Sequence, residues 1–188
     1  MSLQQISDHD LMLAVKSGDL DQMGPIFERH HQKLYNLFLW QTGVHTVSED
    51  LVQEVFWRMI RSRKTYKGEG KFTTWMYSIA RSARMDYYRK NRRKMASLHD
   101  LPEIATDQPS QEDQAVQNSD HALLRKAMMR LTDDKREVLV MSRFHFMNYR
   151  EIAGVLKCSV GTIKSRVFWA LRDLGKIYRS MGGTYENV

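Results

Sequence analysis

Hydrophobic residues recur along the chain at intervals of three and four, the spacing that gathers them on one face of an α-helix. One stripe lies between residues 19 and 38, where Asp19 can cap the helix, and another follows Thr46, which forms a capping-box pattern with Glu49. A third stripe runs from Phe72 to Ala83 after a glycine-containing turn, YKGEGK. No segment alternates with a period of two over the length of a strand. The pattern predicts an all-α fold.

The most specific local pattern is YREIAGVLKCSVGTIKSRVFWAL, residues 149–171. Asn148 and Ser159 stand where each can cap a helix, and Lys157–Ser159 forms a tight turn between the two helices. This is the arrangement of a helix-turn-helix, whose second helix fits the DNA major groove. An ordinary helical hairpin with a solvated basic face is the alternative.

The hydrophobic pattern is interrupted between residues 95 and 118, a segment that contains Pro102 and Pro109 and is rich in Gln, Asp and Ser. We interpret it as a flexible acidic linker. The chain is therefore predicted to hold one helical domain at residues 1–94 and a second, the helix-turn-helix domain, at residues 119–188.

Charge is distributed in blocks. Residues 58–94 contain 13 Lys and Arg against 2 Asp and Glu, and residues 119–188 contain 13 against 7, whereas residues 95–118 contain 5 acids and no Lys or Arg. Two basic blocks around an acidic spacer predict polyanion binding at two places. A charge distribution that only keeps the protein soluble is the alternative.

Composition excludes several classes of protein. The 188 residues are 42% hydrophobic and 27% charged, and no apolar run is long enough to cross a bilayer, so we expect a globular cytoplasmic protein without membrane insertion. The single cysteine, Cys158, excludes an intramolecular disulfide and is expected to be a small packed residue. His30 and His31 lack metal-ligand spacing, and no nucleophile–base pair is evident. We expect no metal, no cofactor and no enzymatic activity.

Aromatic residues are interleaved with cations over residues 66–94. Duplex binding needs cations, whereas unpaired bases also need flat rings on which to stack. The block therefore predicts contact with single-stranded or opening DNA. For Trp75, the alternative is a packed core residue.

Three motifs together resemble the extracytoplasmic-function (ECF, group IV) sigma factors of bacterial RNA polymerase, within the sigma-70 family. SEDLVQEVFWRMIRSRKTY (48–66) resembles the helix that docks on the polymerase clamp, and KFTTWMYSIARSARMDYYRKNRR (71–93) resembles the minus-ten-binding segment. LTDDKREVLVMSRFHFMNYREIAGVLKCSVGTIKSRV (131–167) resembles the minus-thirty-five-binding domain. The three motifs occur in the order and at the spacing of the family.

The resemblance implies core RNA polymerase and promoter DNA, both duplex and opened non-template strand, as partners, with an anti-sigma factor as a further candidate. The residues that match polymerase-binding positions are Asp50, Gln53, Glu54, Phe56 and Ile60. Those that match the minus-ten segment are Lys67, Gly68, Lys71, Phe72, Trp75, Arg81, Ser82, Arg84 and Arg89, with the loop Lys67–Lys71 matching the element that holds a flipped base. Those that match the minus-thirty-five-reading helix are Thr162, Lys164, Ser165, Arg166, Phe168 and Trp169.

This sequence departs from the family at several of these positions. Ser82 stands where the family often has Asn, and Trp169 and Leu171 stand where arginines are frequent. The minus-thirty-five sequence therefore does not follow by analogy.

The resemblance implies a factor that binds core polymerase, directs it to promoters and assists promoter melting. One alternative is a stand-alone helix-turn-helix regulator that binds duplex DNA without polymerase. Another is an interaction protein that sequesters polymerase without initiating transcription.

Overall fold

The described residues of the computed structural model, 6–97 and 120–183, form eight α-helices and contain no strand. The first four helices are α1 (Asp8–Ser17), α2 (Met23–Thr42), α3 (His45–Arg61) and α4 (Phe72–Ser97). The second four are α5 (Asp120–Met129), α6 (Asp133–Leu139), α7 (Tyr149–Leu156) and α8 (Val160–Ser180). The predicted all-α fold is confirmed.

Two compact units are distinguished, one within residues 1–36 and 48–102 and the other within residues 37–47 and 103–188. Helix α4 extends to Ser97, three residues past the predicted end of the first domain at residue 94. Most of the predicted linker lies outside the described residues, so the domain boundaries and the flexibility of that segment remain predictions.

Helix α1 was not anticipated from the hydrophobic pattern. The Ser7 hydroxyl accepts a hydrogen bond from the backbone N–H of Asp10, and the helix ends where Gly18 adopts a φ of 118°. Leu11, Met12 and Val15 form its buried face. A capped ten-residue helix is marginal by itself, so the packing of this face stabilises it.

Two predicted helix starts differ from the structure. Asp19 precedes a short 3-10 turn (Leu20–Gln22) and makes no capping hydrogen bond, because α2 begins only at Met23. Helix α3 begins at His45, which places Thr46 inside its first turn rather than at the cap. Polar residues near a helix start therefore predict that a helix is present more reliably than they predict which residue is its first.

A buried polar network joins α1 to α2. Asp8 accepts hydrogen bonds from Arg29 at 2.7 Å and from His30 Nε2 at 2.7 Å, and the His30 side chain is almost fully buried. Burial lowers the pKa of His30, with Asp8 opposing that effect. Burial alone would raise the pKa of Asp8, but its hydrogen bonds to Arg29 and His30 outweigh that and lower it. The network therefore pairs a carboxylate with a neutral imidazole, and Arg29 supplies the positive charge.

A buried arginine closes the turn between α5 and α6 in the second unit. Arg136 is 7% exposed, and its guanidinium donates to the carbonyl oxygens of Leu131 at 2.8 Å and Met129 at 3.2 Å. Helix α6 then continues as a π-helical turn, Val140–Phe144. The guanidinium satisfies carbonyl groups that the α5 C-terminus would otherwise leave without donors.

Candidate nucleic-acid interface

The loop Lys67–Lys71 is held firmly at its N-terminal end. Tyr66, which is 2% exposed, hydrogen-bonds His9 Nδ1 through its hydroxyl at 3.0 Å, and its carbonyl oxygen accepts from Lys16 Nζ at 2.7 Å. Gly68 and Gly70 have φ angles of 75° and 77°, the left-handed region that favours glycine. The loop is therefore a defined turn tied to α1.

An aromatic cluster lies beneath the loop. The ring of Tyr66 is 5.0 Å from that of Trp75 and 6.2 Å from that of Phe72, and His30 contacts Phe72 from the other side at 5.4 Å. Phe72 is 5% exposed, whereas Trp75 is only half-buried. The cluster fixes both ends of the loop and leaves part of one ring at the surface beside it.

The predicted minus-ten residues differ in accessibility. The exposed ones are Lys67, Lys71, Ser82 and Arg89, the half-buried ones are Gly68, Trp75 and Arg81, and the buried ones are Phe72 and Arg84. The Arg84 guanidinium lies over the ring of Tyr88 at 5.7 Å, and Arg89 forms an ion pair with Asp86 at 2.7 Å. We call the loop and the exposed residues that follow it on α4 the loop–α4 surface, and the aromatic cluster lies at the loop end of this surface.

Helix α3 presents a second surface on the same unit. Asp50 and Gln53 are exposed and Glu54 is half-buried, and all three lie on one stripe of the helix. Of the other two predicted polymerase-binding residues, Ile60 is half-buried, and Phe56 is 7% exposed and packs against Phe27 with ring centroids 4.9 Å apart.

Trp57 extends this stripe, although it is not among the polymerase-binding residues predicted from the sequence. It is 52% exposed, and the Arg61 guanidinium stacks over its ring at 4.3 Å. An available signal was its spacing, four residues after Gln53 on the polar side of α3. We call the residues Asp50, Gln53, Glu54 and Trp57 the α3 surface.

Arg58 orients one acid of the α3 surface. It hydrogen-bonds Glu54 at 2.6 Å and Asp86 of α4 at 2.8 Å. Burial would lower the pKa of Arg58, but the two carboxylates outweigh that effect and raise it. The Glu54 carboxylate is therefore held in a fixed direction by a cation that also ties α3 to α4.

The helix-turn-helix is built by its caps. The Asn148 side chain accepts from the backbone N–H groups of Arg150 and Glu151, and Glu151 returns a hydrogen bond to the Asn148 N–H, a complete capping box. Helix α7 ends at Leu156, its C-cap Lys157 has a φ of 52°, and Ser159 then caps α8 by accepting from the N–H of Thr162. The predicted caps at Asn148 and Ser159 are confirmed.

Helix α8 exposes most of the residues predicted to read the minus-thirty-five element. Lys164, Ser165, Phe168 and Trp169 are exposed, and Thr162 and Arg166 are half-buried. Ile163 and Val167 are buried on the opposite side. These residues therefore form an exposed surface of the second unit.

Among the described residues there is no group of three His, Cys, Asp or Glu side chains that could hold a metal ion. Cys158 is a half-buried free thiol. Within residues 6–97 and 120–183, none of the helices is both long enough and apolar enough to span a membrane.

An all-α chain with a capped helix-turn-helix in one unit and a basic surface over an aromatic cluster in the other belongs to the class of DNA-binding transcription proteins. The family model "Sigma-70 region 2" matches residues 26–94, and "Sigma-70, region 4" matches residues 121–174. The chain belongs to the sigma-70 family, in its extracytoplasmic-function group.

Several relatives match over nearly their whole length. The chain is 26% identical to the RNA polymerase sigma-H factor of Pseudomonas aeruginosa, covering 93% of this chain and 95% of the relative. It is also 26% identical to the ECF RNA polymerase sigma-E factor of Escherichia coli, covering 89% and 92%. The solved structure of sigma factor RpoE from Bartonella quintana, in complex with the anti-sigma factor NepR, matches the fold with a TM-score of 0.71 at 22% identity, covering 84% of this chain and 96% of that one. These findings do not favour the stand-alone regulator.

Proposed function

We propose that this sigma factor divides promoter recognition among three surfaces: the α3 surface binds core RNA polymerase, the loop–α4 surface holds the opened minus-ten strand, and α8 reads the minus-thirty-five element. The observation that carries the proposal is the contrast within one unit. The α3 surface offers acids, an amide and an exposed Trp57, whereas the loop–α4 surface offers cations over aromatic rings. Surfaces of such different chemistry suit different partners.

The α3 surface fits a basic, partly apolar protein partner. Asp50, Gln53 and Glu54 supply acceptors, and the half-exposed ring of Trp57 supplies an apolar anchor of the kind that carries much of the energy in protein interfaces. Burial of Phe56 against Phe27 indicates that its main contribution is to support this surface from below.

The loop–α4 surface fits an unpaired strand. Lys67, Lys71 and Arg89 are exposed cations that can contact phosphates, and the half-buried Trp75 leaves part of its ring accessible after the Gly68–Gly70 turn. Extruding a base from a duplex costs a few kcal/mol, and a turn that is already formed can offset part of this cost. Ser82 is exposed about 15 Å further along α4 than Phe72, so it is a candidate to contact the strand beyond the extruded base.

We also propose that the protein is cytoplasmic and acts as a binding subunit, not as an enzyme in its own right, with catalysis supplied by the polymerase. An anti-sigma factor is a further proposed partner. Its expected target is the α3 surface, where the exposed Trp57 lies beside acids and an amide and offers an aromatic anchor of the kind enriched at protein interfaces.

The test is reconstituted transcription with core RNA polymerase, in which core binding, promoter melting and run-off product are measured separately. The variant Gln53→Ala/Trp57→Ala should lose core binding. Lys67→Ala/Lys71→Ala should keep core binding and lose melting. Lys164→Ala/Ser165→Ala should keep core binding and melting, and its run-off product should no longer depend on the upstream element.

Exposed residues outside these surfaces provide matched controls. Asp21→Ala and Lys33→Ala in the first unit, and Lys126→Ala in the second, should leave all three measurements unchanged. The proposal fails if the purified chain does not bind core polymerase, or if it binds and no promoter strand opens. It also fails if the three sets of variants lose the same step.

A further inference from the structure

The exposed face of α8 changes character along its length. Gly161 and Ser165, which are small, are exposed near the N-terminus, and Phe168 and Trp169 follow about 10 Å from the position of Gly161 along the axis. Phe168 is 61% exposed and Trp169 is 49% exposed. A tryptophan packed into the core would not be half-exposed, so this ring is available to a partner.

The two aromatic rings are held in a defined arrangement. Phe168 and Trp169 meet edge to face with centroids 5.3 Å apart, and the Arg172 guanidinium lies over Trp169 at 5.2 Å. The pair therefore presents a joined apolar edge, and the Arg172 guanidinium lies against the indole ring one turn further along.

The charges around the rings favour DNA over a protein as the occupant. Lys164, Arg172 and Lys176 are exposed on the same helix, before and after the aromatic pair. Asp173, the acid on this helix, forms an ion pair with Lys135 of α6. Cations therefore lie on both sides of the rings along the helix, and the charge of Asp173 is compensated by Lys135. Such a surface suits a partner rich in phosphate, as DNA is.

The four base pairs differ in what they offer in the major groove. Arginine selects guanine through N7 and O6, whereas an apolar group selects thymine through its 5-methyl group. We propose that Phe168 and Trp169 determine promoter sequence by contacting thymine methyl groups, so that the upstream element carries T·A pairs opposite this part of α8. This inference rests on the proposed placement of α8 in the minus-thirty-five groove, and it goes further by naming the chemical group that is read.

The experiment uses the full chain bound to core RNA polymerase. A promoter library first selects the upstream element, and each thymine in the selected element is then replaced by deoxyuridine, which removes only the methyl group. Replacing one contacted thymine should lower the affinity of the polymerase complex for the promoter about fourfold. This corresponds to about 0.8 kcal/mol for one methyl-sized group.

Variants assign the effect to the rings. Phe168→Ala/Trp169→Ala should bind thymine and deoxyuridine promoters equally, whereas Phe146→Ala, at an aromatic residue 88% exposed elsewhere in the same unit, should keep the full discrimination. Trp169→Arg should shift library selection towards guanine.

The outcomes separate this inference from the proposed function. If upstream recognition persists and deoxyuridine has no effect, the thymine-methyl proposal is wrong and the role of α8 stands. If altering the upstream element has no effect at all, the placement of α8 itself is wrong. If the double alanine variant recognises promoters like the wild type, the rings serve a protein partner and the proposal is overturned.

Discussion

Gly68 offers a quantitative test of the loop that we propose to hold the extruded base. Its φ is 75°, and a Cβ added there would lie 3.0 Å from Cε1 of His9. Gly70, two residues away, has nearly the same φ, 77°, but no atom within 4 Å of its added Cβ. An alanine would therefore meet the same backbone strain at both positions, and only at Gly68 would its Cβ make a close contact, with the His9 imidazole.

The expected magnitudes follow from these geometries. An L-residue in the left-handed region costs about 1–2 kcal/mol, and this cost applies to both Gly68→Ala and Gly70→Ala. The lower entropy of the unfolded chain partly offsets the cost, again equally at both positions. Only Gly68→Ala also displaces His9, whose hydrogen bond to the Tyr66 hydroxyl is worth about 1 kcal/mol. Gly68→Ala should therefore be about 1 kcal/mol more destabilising than Gly70→Ala.

Urea unfolding of both variants measures this difference, and a His9→Ala background tests its cause. In that background the two glycine substitutions should cost the same, because the group that clashes is gone. Equal losses in the wild-type background would contradict the steric argument. A difference that persisted without the imidazole would also contradict it.

Two further predictions concern the buried polar groups. Because burial lowers the pKa of His30, the unfolded chain binds a proton at a higher pH than the folded chain does, and stability should fall as the pH drops below the ordinary value of 6.5. Urea unfolding at about pH 7.5 and about pH 5.5 should show a smaller pH dependence for His30→Gln than for the wild type, and an unchanged dependence would refute this. Arg136→Met should cost about 2–3 kcal/mol by leaving the carbonyl oxygens of Met129 and Leu131 without their donor. Loss of helical circular dichroism on heating measures this, and a variant as stable as the wild type would show that water replaces the guanidinium.

Helices α2, α3 and α4 could be predicted from the sequence because each carries a long stripe of hydrophobic residues at helical spacing. The helix-turn-helix was also predictable in detail, since the caps at Asn148 and Ser159 act locally and the chain carries the side chains they need. Helix α1 could not be predicted in this way. It has three buried apolar residues, and contacts distant in the sequence, such as Lys16 to the Tyr66 carbonyl oxygen, add to its support.

Accessibility at the candidate site was harder to predict than the helices. Phe56 belonged both to a hydrophobic stripe and to the motif that matches polymerase-binding positions, and periodicity alone could not decide between a packed and an exposed ring. The structure places it against Phe27 and exposes its neighbour Trp57 instead. A one-residue step rotates a side chain by about 100° around a helix, so a motif identifies the region of contact better than the contacting side chain.

Helix α4 illustrates why this distinction matters for experiments. Phe72 and Arg84 lie within the segment that resembles the minus-ten-binding element, yet both are buried, one in the aromatic cluster and one beside Tyr88. Substituting Phe72 would disturb packing under the loop, and a loss of promoter melting would then follow from a displaced loop without any lost DNA contact. Substituting Arg84, about 18 Å further along α4, would disturb the contact with Tyr88 instead. Lys67 and Ser82 are exposed, so substitutions there alter the surface and leave the packing intact. A melting defect at Lys67, with unchanged urea stability, is therefore the evidence that would assign DNA contact to the loop, and the same result at Ser82 would assign it to α4.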